Sequence, residues 1–207
     1  MELIGYLDSP FVRRVAITMQ FLGIPYKHRE LSIFRNFEEF RAINPMVKVP
    51  TLVLDDGEVL IDSGLIIDYL ESQVARRSLM PADTDQYRGA LQFIGAALIV
   101  MEKRAQLIYE TGQRPEEKQH GPWINRLQQQ LTGAIDMLES MVAARADNGY
   151  NWLQGDKPGQ ADITAAVAWR FIMHNENGFT DQNDYPALAA LSARAEVLPE
   201  FLACPIV

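Results

Sequence analysis

The sequence has little cysteine, no excess of positive charge and no long hydrophobic run. One of its 207 residues, Cys204, is a cysteine, which excludes an internal disulfide framework and a cysteine-based zinc site. The formal net charge of −8 has the wrong sign for a phosphate-backbone partner or an anionic lipid surface. The longest apolar run, residues 93–101, is well short of the roughly 20 residues of a membrane-spanning helix. We therefore expect no nucleic-acid partner and no membrane partner.

Two further absences concern location and metal binding. The first five residues lack the basic start and the apolar core of a secretory signal, and a lone cysteine is typical of a reducing compartment. Both features favour a cytoplasmic protein. The three histidines, His28, His120 and His174, show no spacing typical of a metal site or a catalytic dyad, so no metal is predicted.

Residues 1–76 alternate between strand-type and helix-type patterns. A strand, a helix and a second strand come first, and such a β-α-β unit implies parallel strands joined by a right-handed crossover. A short helix, a hairpin around Asp55-Asp56-Gly57 and another helix follow. Together they predict an α/β domain with a small mixed sheet. The predicted elements are strands at 3–7, 26–31, 49–54 and 59–61, and helices at 12–22, 37–42 and 63–70.

The composition changes after residue 76. A stretch that contains Pro81, residues 77–83, predicts a linker. Beyond it, apolar residues spaced by three or four predict helices and no strand, so we expect residues 84–207 to form an all-helical domain. These helices are predicted at 87–109, 124–141, 161–173 and 186–195.

Ser9 is the first candidate for chemistry, because it lies where the first predicted strand meets the first predicted helix. The free N–H groups at a helix start carry partial positive charge and favour an anion. A hydroxyl in this position can also donate a hydrogen bond to a thiolate and lower the pKa of a bound thiol. The alternative is an ordinary helix cap, a role in which serine is common.

Two residue pairs occupy comparable positions. Val49-Pro50 stands at the entry to a strand, where a cis bond would leave the Val49 backbone groups free to pair with a peptide-like ligand. A trans proline in an edge strand is the alternative. Asp62-Ser63 stands at a helix start, where the hydroxyl and the N–H groups suit a carboxylate and Asp62 suits an ammonium group. An ordinary capping pair is the alternative there.

In their order along the chain, these positions resemble those of the cytosolic glutathione transferases. The Ser-Pro-Phe and Lys-Val-Pro stretches look most like the serine-type classes, with tau-, theta- and zeta-like members, in a bacterial-style chain. The resemblance covers nearly the whole sequence. The residues that carry it are Ser9-Pro10-Phe11-Val12-Arg13-Arg14-Val15, Asn44-Pro45, Val49-Pro50-Thr51-Leu52, Asp62-Ser63, Gly155-Asp156 and Ala161-Asp162-Ile163.

The resemblance implies a thioredoxin-like N-terminal domain that binds glutathione and a helical C-terminal domain that covers a second substrate. By position, Ser9 matches the serine that hydrogen-bonds the glutathione sulfur. Tyr6 is the alternative, because some classes use a tyrosine at the end of the first strand. The other residues that match the glutathione site are Phe11, Lys48, Val49, Pro50, Asp62 and Ser63.

The resemblance also implies a role for each part of that site. Lys48 matches a basic residue near the glycine carboxylate, and the Val49 backbone matches the group that pairs with the cysteinyl unit, before a cis Pro50. Asp62 and Ser63 match the pair at the γ-glutamyl end, which is more often Glu-Ser. The predicted helix faces suggest that Phe11 lines a second-substrate site together with three residues of the helical domain. The three residues are Met101, Arg104 and Ile108.

One departure concerns the buried capping box of the helical domain. The family usually has Ser or Thr three residues before the aspartate, whereas this chain has Gly159 before Asp162. Glycine caps a helix at a cost of only a few tenths of a kcal/mol against serine, so folding should survive.

Three functions are compatible with these residues. The first is a glutathione transferase that activates the glutathione thiol for attack on an apolar electrophile. The second is a glutathione-dependent peroxidase, isomerase or dehalogenase on the same fold. The third is a glutathione-binding or regulatory protein without catalysis. Serine at position 9 cannot form the mixed disulfides of cysteine-type members, which disfavours thiol-transferase chemistry. The family resemblance further implies a homodimer.

Overall fold

The fold is that of a computed structural model, which describes residues 1–74, 78–174 and 180–206. It divides into two compact units, one of Met1–Leu79 with Glu196–Val207 and one of Met80–Ala195. The expected second domain ran to residue 207, whereas the segment from Glu196 onward packs with the first unit instead. The predicted linker begins at Arg77, which lies outside the described residues.

The first unit contains a four-stranded mixed sheet in which the strands lie in the order β2 (Lys27–Arg29), β1 (Glu2–Ile4), β3 (Thr51–Val53) and β4 (Val59–Ile61). Strand β1 pairs in parallel with β2 and antiparallel with β3, which pairs antiparallel with β4. This is the predicted α/β domain with its thioredoxin-like sheet. Its elements are β1 (Glu2–Ile4), α1 (Pro10–Leu22), β2 (Lys27–Arg29), α2 (Phe37–Ile43), β3 (Thr51–Val53), β4 (Val59–Ile61) and α3 (Ser63–Ser72).

Helix α1 begins and ends on residues suited to those positions. Pro10 occupies its first turn and Gly23 follows its last turn in the left-handed conformation, which glycine adopts without a Cβ penalty. The helix is buried on nearly all sides, including Arg13 and Arg14, which are each only 1% exposed. Strand β1 ends earlier than predicted because Gly5 has a φ of +132° and turns the chain out of the strand.

The segment that follows Glu196 is anchored on α1 by Arg13. The guanidinium donates to both carboxylate oxygens of Glu196, at 2.6 and 2.7 Å, and to the carbonyl of Cys204 at 2.8 Å. It also lies 5.7 Å from the ring centroid of Phe201. A bidentate pair of this kind is directional as well as strong, which explains why the end of the chain belongs to the first unit.

The second unit is helical, as predicted, and the described residues from Met80 to Ala195 contain no strand beyond an isolated bridge between Trp152 and Gly155. Helix α4 (Thr84–Ile108) packs against both α5 (Gly121–Asp147) and α6 (Gln160–His174). None of the described helices combines the length and apolar character needed to cross a membrane. The α-helices of this unit are α4 (Thr84–Ile108), α5 (Gly121–Asp147), α6 (Gln160–His174) and α7 (Pro186–Glu196), whose last residue begins the segment of the first unit that contains α8 (Pro199–Leu202).

Asp162 fastens the start of α6 to the loop before it. Its two carboxylate oxygens accept from the N–H groups of Leu153 at 2.8 Å and Gly159 at 2.9 Å. Glycine at position 159 therefore keeps the backbone half of the capping box. Burial raises the pKa of Asp162 from 3.8 to about 6, while these hydrogen bonds and Arg194 oppose that effect.

We expect the contribution of Asp162 to stability to fall as the pH rises from about 4 to about 6. The unfolded chain releases this proton near pH 3.8 and the folded chain near pH 6, so in between the folded state holds more protons and rising pH destabilises it. The effect is worth roughly 3 kcal/mol. Denaturant unfolding of the parent and of Asp162→Asn measures it, since the variant lacks this titration. Parallel pH curves for the two proteins would contradict the prediction.

Candidate functional site

The register of the sheet brings three predicted site segments to one edge. Ile4 pairs with Thr51, and Thr51 pairs with Ile61, so these residues form one row across the sheet. The chain leaves this row toward Ser9 after β1, enters it from Val49-Pro50 before β3, and leaves it at Asp62-Ser63 after β4. Residues far apart in sequence are therefore neighbours at a single sheet edge.

The Ser9 hydroxyl does not cap α1. Ser9 stands at the capping position with extended backbone angles, yet its side chain accepts no hydrogen bond from the first turn. Only its backbone takes part, since its carbonyl accepts from the N–H of Arg13 at 2.9 Å. The half-buried Ser9 side chain thus stands, without a capping bond, at the positive end of a thirteen-residue helix. Of the two roles weighed from the sequence, the capping role of this side chain is absent.

Gly5 allows the Val49 loop to approach the first turn of α1. A Cβ added at Gly5 would lie 2.7 Å from Val12 and 2.8 Å from Val49, closer than side-chain atoms can pack. The peptide bond between Val49 and Pro50 is cis, as the resemblance implied. Neither backbone group of Val49 forms a hydrogen bond to another described residue, so both are available to a peptide-like ligand.

A small polar network fixes the loop before the cis bond. The buried Asn44 side chain donates to the Thr51 hydroxyl at 2.9 Å, and that hydroxyl donates to the Lys48 carbonyl at 2.8 Å. Val47 in this loop has a φ of +47°, an outlier for a β-branched residue. Strained backbone of this kind persists where surrounding contacts over-determine it, and such sites are often functional. From the sequence, Asn44 belongs only to the family pattern, and its contacts with Thr51 and Lys48 were not predicted.

The side chains of Asp62 and Ser63 make different contacts at the start of α3. The Asp62 carboxylate accepts from the N–H groups of Gly64 at 2.8 Å and Leu65 at 3.3 Å, so it caps α3. Its contact with the ammonium group of a ligand stays a prediction. The Asp62 backbone is also unusual, with a φ of +69°. The Ser63 hydroxyl instead meets the guanidinium of the buried Arg14 at 2.9 Å. Arg14 carries no predicted role, although a charged residue within the apolar pattern of α1 could have signalled one.

The remaining predicted residues of the first unit differ in exposure. Phe11 is half-buried in the first turn of α1, and the Lys48 side chain is exposed and pairs with no carboxylate of the described residues. Tyr6 is half-buried, and its ring stacks against Arg35, whose guanidinium lies 5.6 Å from the ring centroid. Tyr6 therefore has a structural contact that Ser9 lacks. Its role as the alternative to Ser9 stays a prediction.

Met101, Arg104 and Ile108 lie on one face of α4 in the second unit. Met101 is fully buried and Arg104 is 8% exposed, while Ile108 is half-buried. Burial lowers the pKa of Arg104. Their proposed contact with a second substrate stays a prediction, and core packing already explains the position of Met101. Among the described residues, no group of three or more His, Cys, Asp or Glu side chains could hold a metal ion.

Cys204 is a packed thiol rather than a second nucleophile. It is 1% exposed, and its sulfur lies 3.7 Å from the Tyr26 hydroxyl. Burial raises the pKa of the Cys204 thiol, which lowers the fraction of the reactive thiolate.

The fold and the site define a class of protein. A thioredoxin-like unit with Ser9, Val49-Pro50 and Asp62-Ser63 at one sheet edge, followed in the chain by a helical unit, is the arrangement of glutathione transferases. The family described as "Glutathione S-transferase, N-terminal domain" matches residues 3–78, and "Glutathione S-transferase, C-terminal domain" matches residues 121–194. The chain belongs to the glutathione S-transferase family.

Individual relatives include isomerases. The chain is 30% identical to the maleylacetoacetate isomerase of Pseudomonas aeruginosa over 79% of this chain and 77% of that protein. It is 29% identical to the maleylpyruvate isomerase of a Ralstonia species over 97% of this chain and 94% of that protein. Among solved structures, a glutathione transferase family member from Pseudomonas fluorescens with bound glutathione is 26% identical, with a TM-score of 0.83 and coverage of 100% and 98%.

Proposed function

We propose that the sheet edge of the first unit binds glutathione and that Ser9 activates its thiol. The observation that carries this proposal is the Ser9 hydroxyl, which stands at the start of α1 but forms no capping bond. Its O–H donates to the glutathione sulfur, and the helix N-terminus adds positive potential. Both effects stabilise the thiolate over the thiol and supply a nucleophile near neutral pH.

The rest of glutathione follows the same edge. The free N–H and C=O of Val49 pair with the cysteinyl unit, in the manner of an added strand. The exposed Lys48 ammonium faces the glycine carboxylate, and Ser63 receives the γ-glutamyl carboxylate. The bound glutathione of the Pseudomonas fluorescens relative supports glutathione as the ligand class.

The reaction of the main proposal is thiolate attack on an apolar electrophile. The sulfur forms a bond to carbon, and either a leaving group departs with its electron pair or the electron pair of a double bond moves to the neighbouring carbon and takes a proton. No oxidant or reductant is needed. Holding both reactants together lowers the entropic part of the barrier.

Isomerisation is the second candidate, because two relatives are named as isomerases. Here the thiolate adds to a cis double bond conjugated to a carbonyl group, and the carbon–carbon bond becomes single and rotates. Departure of the same thiolate restores the double bond in the trans form, so glutathione is regenerated. The first step is the same as in conjugation, and Ser9 serves both.

A substrate panel separates these functions. Purified protein is assayed with glutathione and an aryl halide, an organic peroxide or a cis-enedione, and glutathione consumption is followed together with product formation. Conjugation consumes one glutathione for each product, whereas isomerisation consumes none. Binding of glutathione without turnover of any of these substrates would favour the non-catalytic function.

We also propose a homodimer, as the family resemblance implies. Within the second unit, large apolar side chains of α4 are exposed, with Tyr87 at 43% and Leu91 at 49%. A second copy of the chain would cover them. Light scattering at micromolar concentration should give twice the chain mass of 23.4 kDa, and a monomer would refute this assembly.

A further inference from the structure

Helix α1 carries two adjacent arginines that are equally buried but serve different partners. Arg13 and Arg14 are each 1% exposed. Arg13 binds Glu196 and the Cys204 carbonyl, so it anchors the end of the chain. Arg14 donates from Nη1 to the Ser63 hydroxyl oxygen at 2.9 Å. The second contact joins α1 to the first residue of α3, where the γ-glutamyl end of the proposed ligand lies.

The chemistry of this bond fixes the direction of the Ser63 hydroxyl. A guanidinium has only donors, whereas a hydroxyl has one proton and can accept two hydrogen bonds. Ser63 Oγ must therefore accept from Arg14, which leaves its own proton to donate elsewhere. Because the donor is charged, the bond is stronger than one between neutral groups and polarises the hydroxyl.

The neighbouring groups direct that proton toward a ligand. The N–H groups of Gly64 and Leu65 are taken by the Asp62 carboxylate. The Ser63 N–H forms no hydrogen bond to another described residue. The hydroxyl and the N–H of Ser63 thus offer two donors from one residue, a geometry that suits a carboxylate. Burial lowers the pKa of Arg14 to about 10 while Asp62 raises it, so Arg14 is a cation at neutral pH.

We propose that Arg14 is a positioning residue for the γ-glutamyl carboxylate of glutathione. It sets the Ser63 hydroxyl as a donor, without touching the ligand itself. This inference rests on the proposed function. It adds a residue of α1 to the recognition of the γ-glutamyl end, separate from the role of Ser9 at the sulfur.

Calorimetric titration with two ligands tests the proposal. Glutathione carries the γ-glutamyl group, whereas the dipeptide cysteinylglycine lacks it. Arg14→Met is expected to weaken glutathione binding about tenfold, a loss of roughly 1.4 kcal/mol, and to leave cysteinylglycine binding unchanged. Arg14→Lys, which retains a cation, should recover part of the affinity. Arg13→Met is the matched control, equally buried and adjacent, and should leave the ratio of the two affinities as in the parent.

A double-mutant cycle with Ser63→Ala supplies the second readout. If Arg14 acts through Ser63, the Arg14→Met/Ser63→Ala protein binds glutathione no more weakly than Ser63→Ala alone. Additive losses would overturn the proposal, as would an equal weakening of both ligands in Arg14→Met. Should Arg14→Met unfold below the assay temperature, Arg14→Lys takes its place in the cycle, with a loss of about threefold expected. A parent that binds no glutathione would instead refute the proposed function.

Discussion

Replacing Ser9 with alanine is expected to lower kcat/KM for the glutathione-dependent reaction by about 10²–10³-fold, the usual cost of removing one hydrogen-bond donor from a developing or stabilised anion. The thiol of bound glutathione should also titrate at a higher pH, because the thiolate loses a donor. Ultraviolet absorbance of the bound thiolate as a function of pH measures this directly, independently of the electrophile.

The same substitution should leave stability almost unchanged, within about 0.5 kcal/mol. Replacing a capping serine with alanine typically lowers the free energy of unfolding by about 1 kcal/mol, but the Ser9 hydroxyl makes no capping bond. Tyr6→Phe is the control for the alternative assignment and should retain activity. Full activity in Ser9→Ala together with loss in Tyr6→Phe would transfer the role to Tyr6.

The second large effect concerns the pair that holds the end of the chain. Replacing Glu196 with alanine is expected to lower the free energy of unfolding by about 3–5 kcal/mol, because it leaves the buried Arg13 cation without its carboxylate partner. The Arg13 side chain is 1% exposed, whereas that of Glu196 is 25% exposed. Glu196 can therefore return to water when its partner is lost, but Arg13 cannot.

This difference in exposure predicts an order of stability among the variants. Arg13→Met removes the buried charge and fills much of the same volume. It should therefore lower the free energy of unfolding by less, about 1–3 kcal/mol, because the Cys204 carbonyl is left unpaired and other contacts are lost. The double variant should be no less stable than Glu196→Ala alone. Urea unfolding of the three proteins decides the matter, and a larger loss in Arg13→Met than in Glu196→Ala would contradict the account.

The local signals of the sequence correctly placed Ser9, Pro50 and Ser63 at the junctions between strands and helices. Ser9 follows a strand, Pro50 precedes one and Ser63 opens a helix, and each of these positions depends on neighbours only a few residues away. Such short-range patterns predict the boundaries of helices and strands without knowledge of the tertiary structure, because the same residues both end one element and begin the next. The family resemblance then implied a common role for them in binding glutathione, which no single position could have indicated.

The contacts that join distant parts of the chain could not be predicted in this way. Arg13 and Glu196 are 183 positions apart, and neither periodicity nor turn chemistry links them. For this reason the expected helical domain ran to residue 207, whereas Glu196 and the residues after it belong with the first unit. The bond between Arg14 and Ser63 and the close approach at Gly5 depend on tertiary packing in the same manner.

Calorimetric titration of the purified protein with glutathione, run beside Ser63→Ala, tests directly whether the sheet edge binds glutathione. The parent should bind, and binding should weaken about tenfold or more in the variant, since the carboxylate of the γ-glutamyl group loses a donor. Failure of the parent to bind glutathione at millimolar concentration would contradict both enzymatic functions.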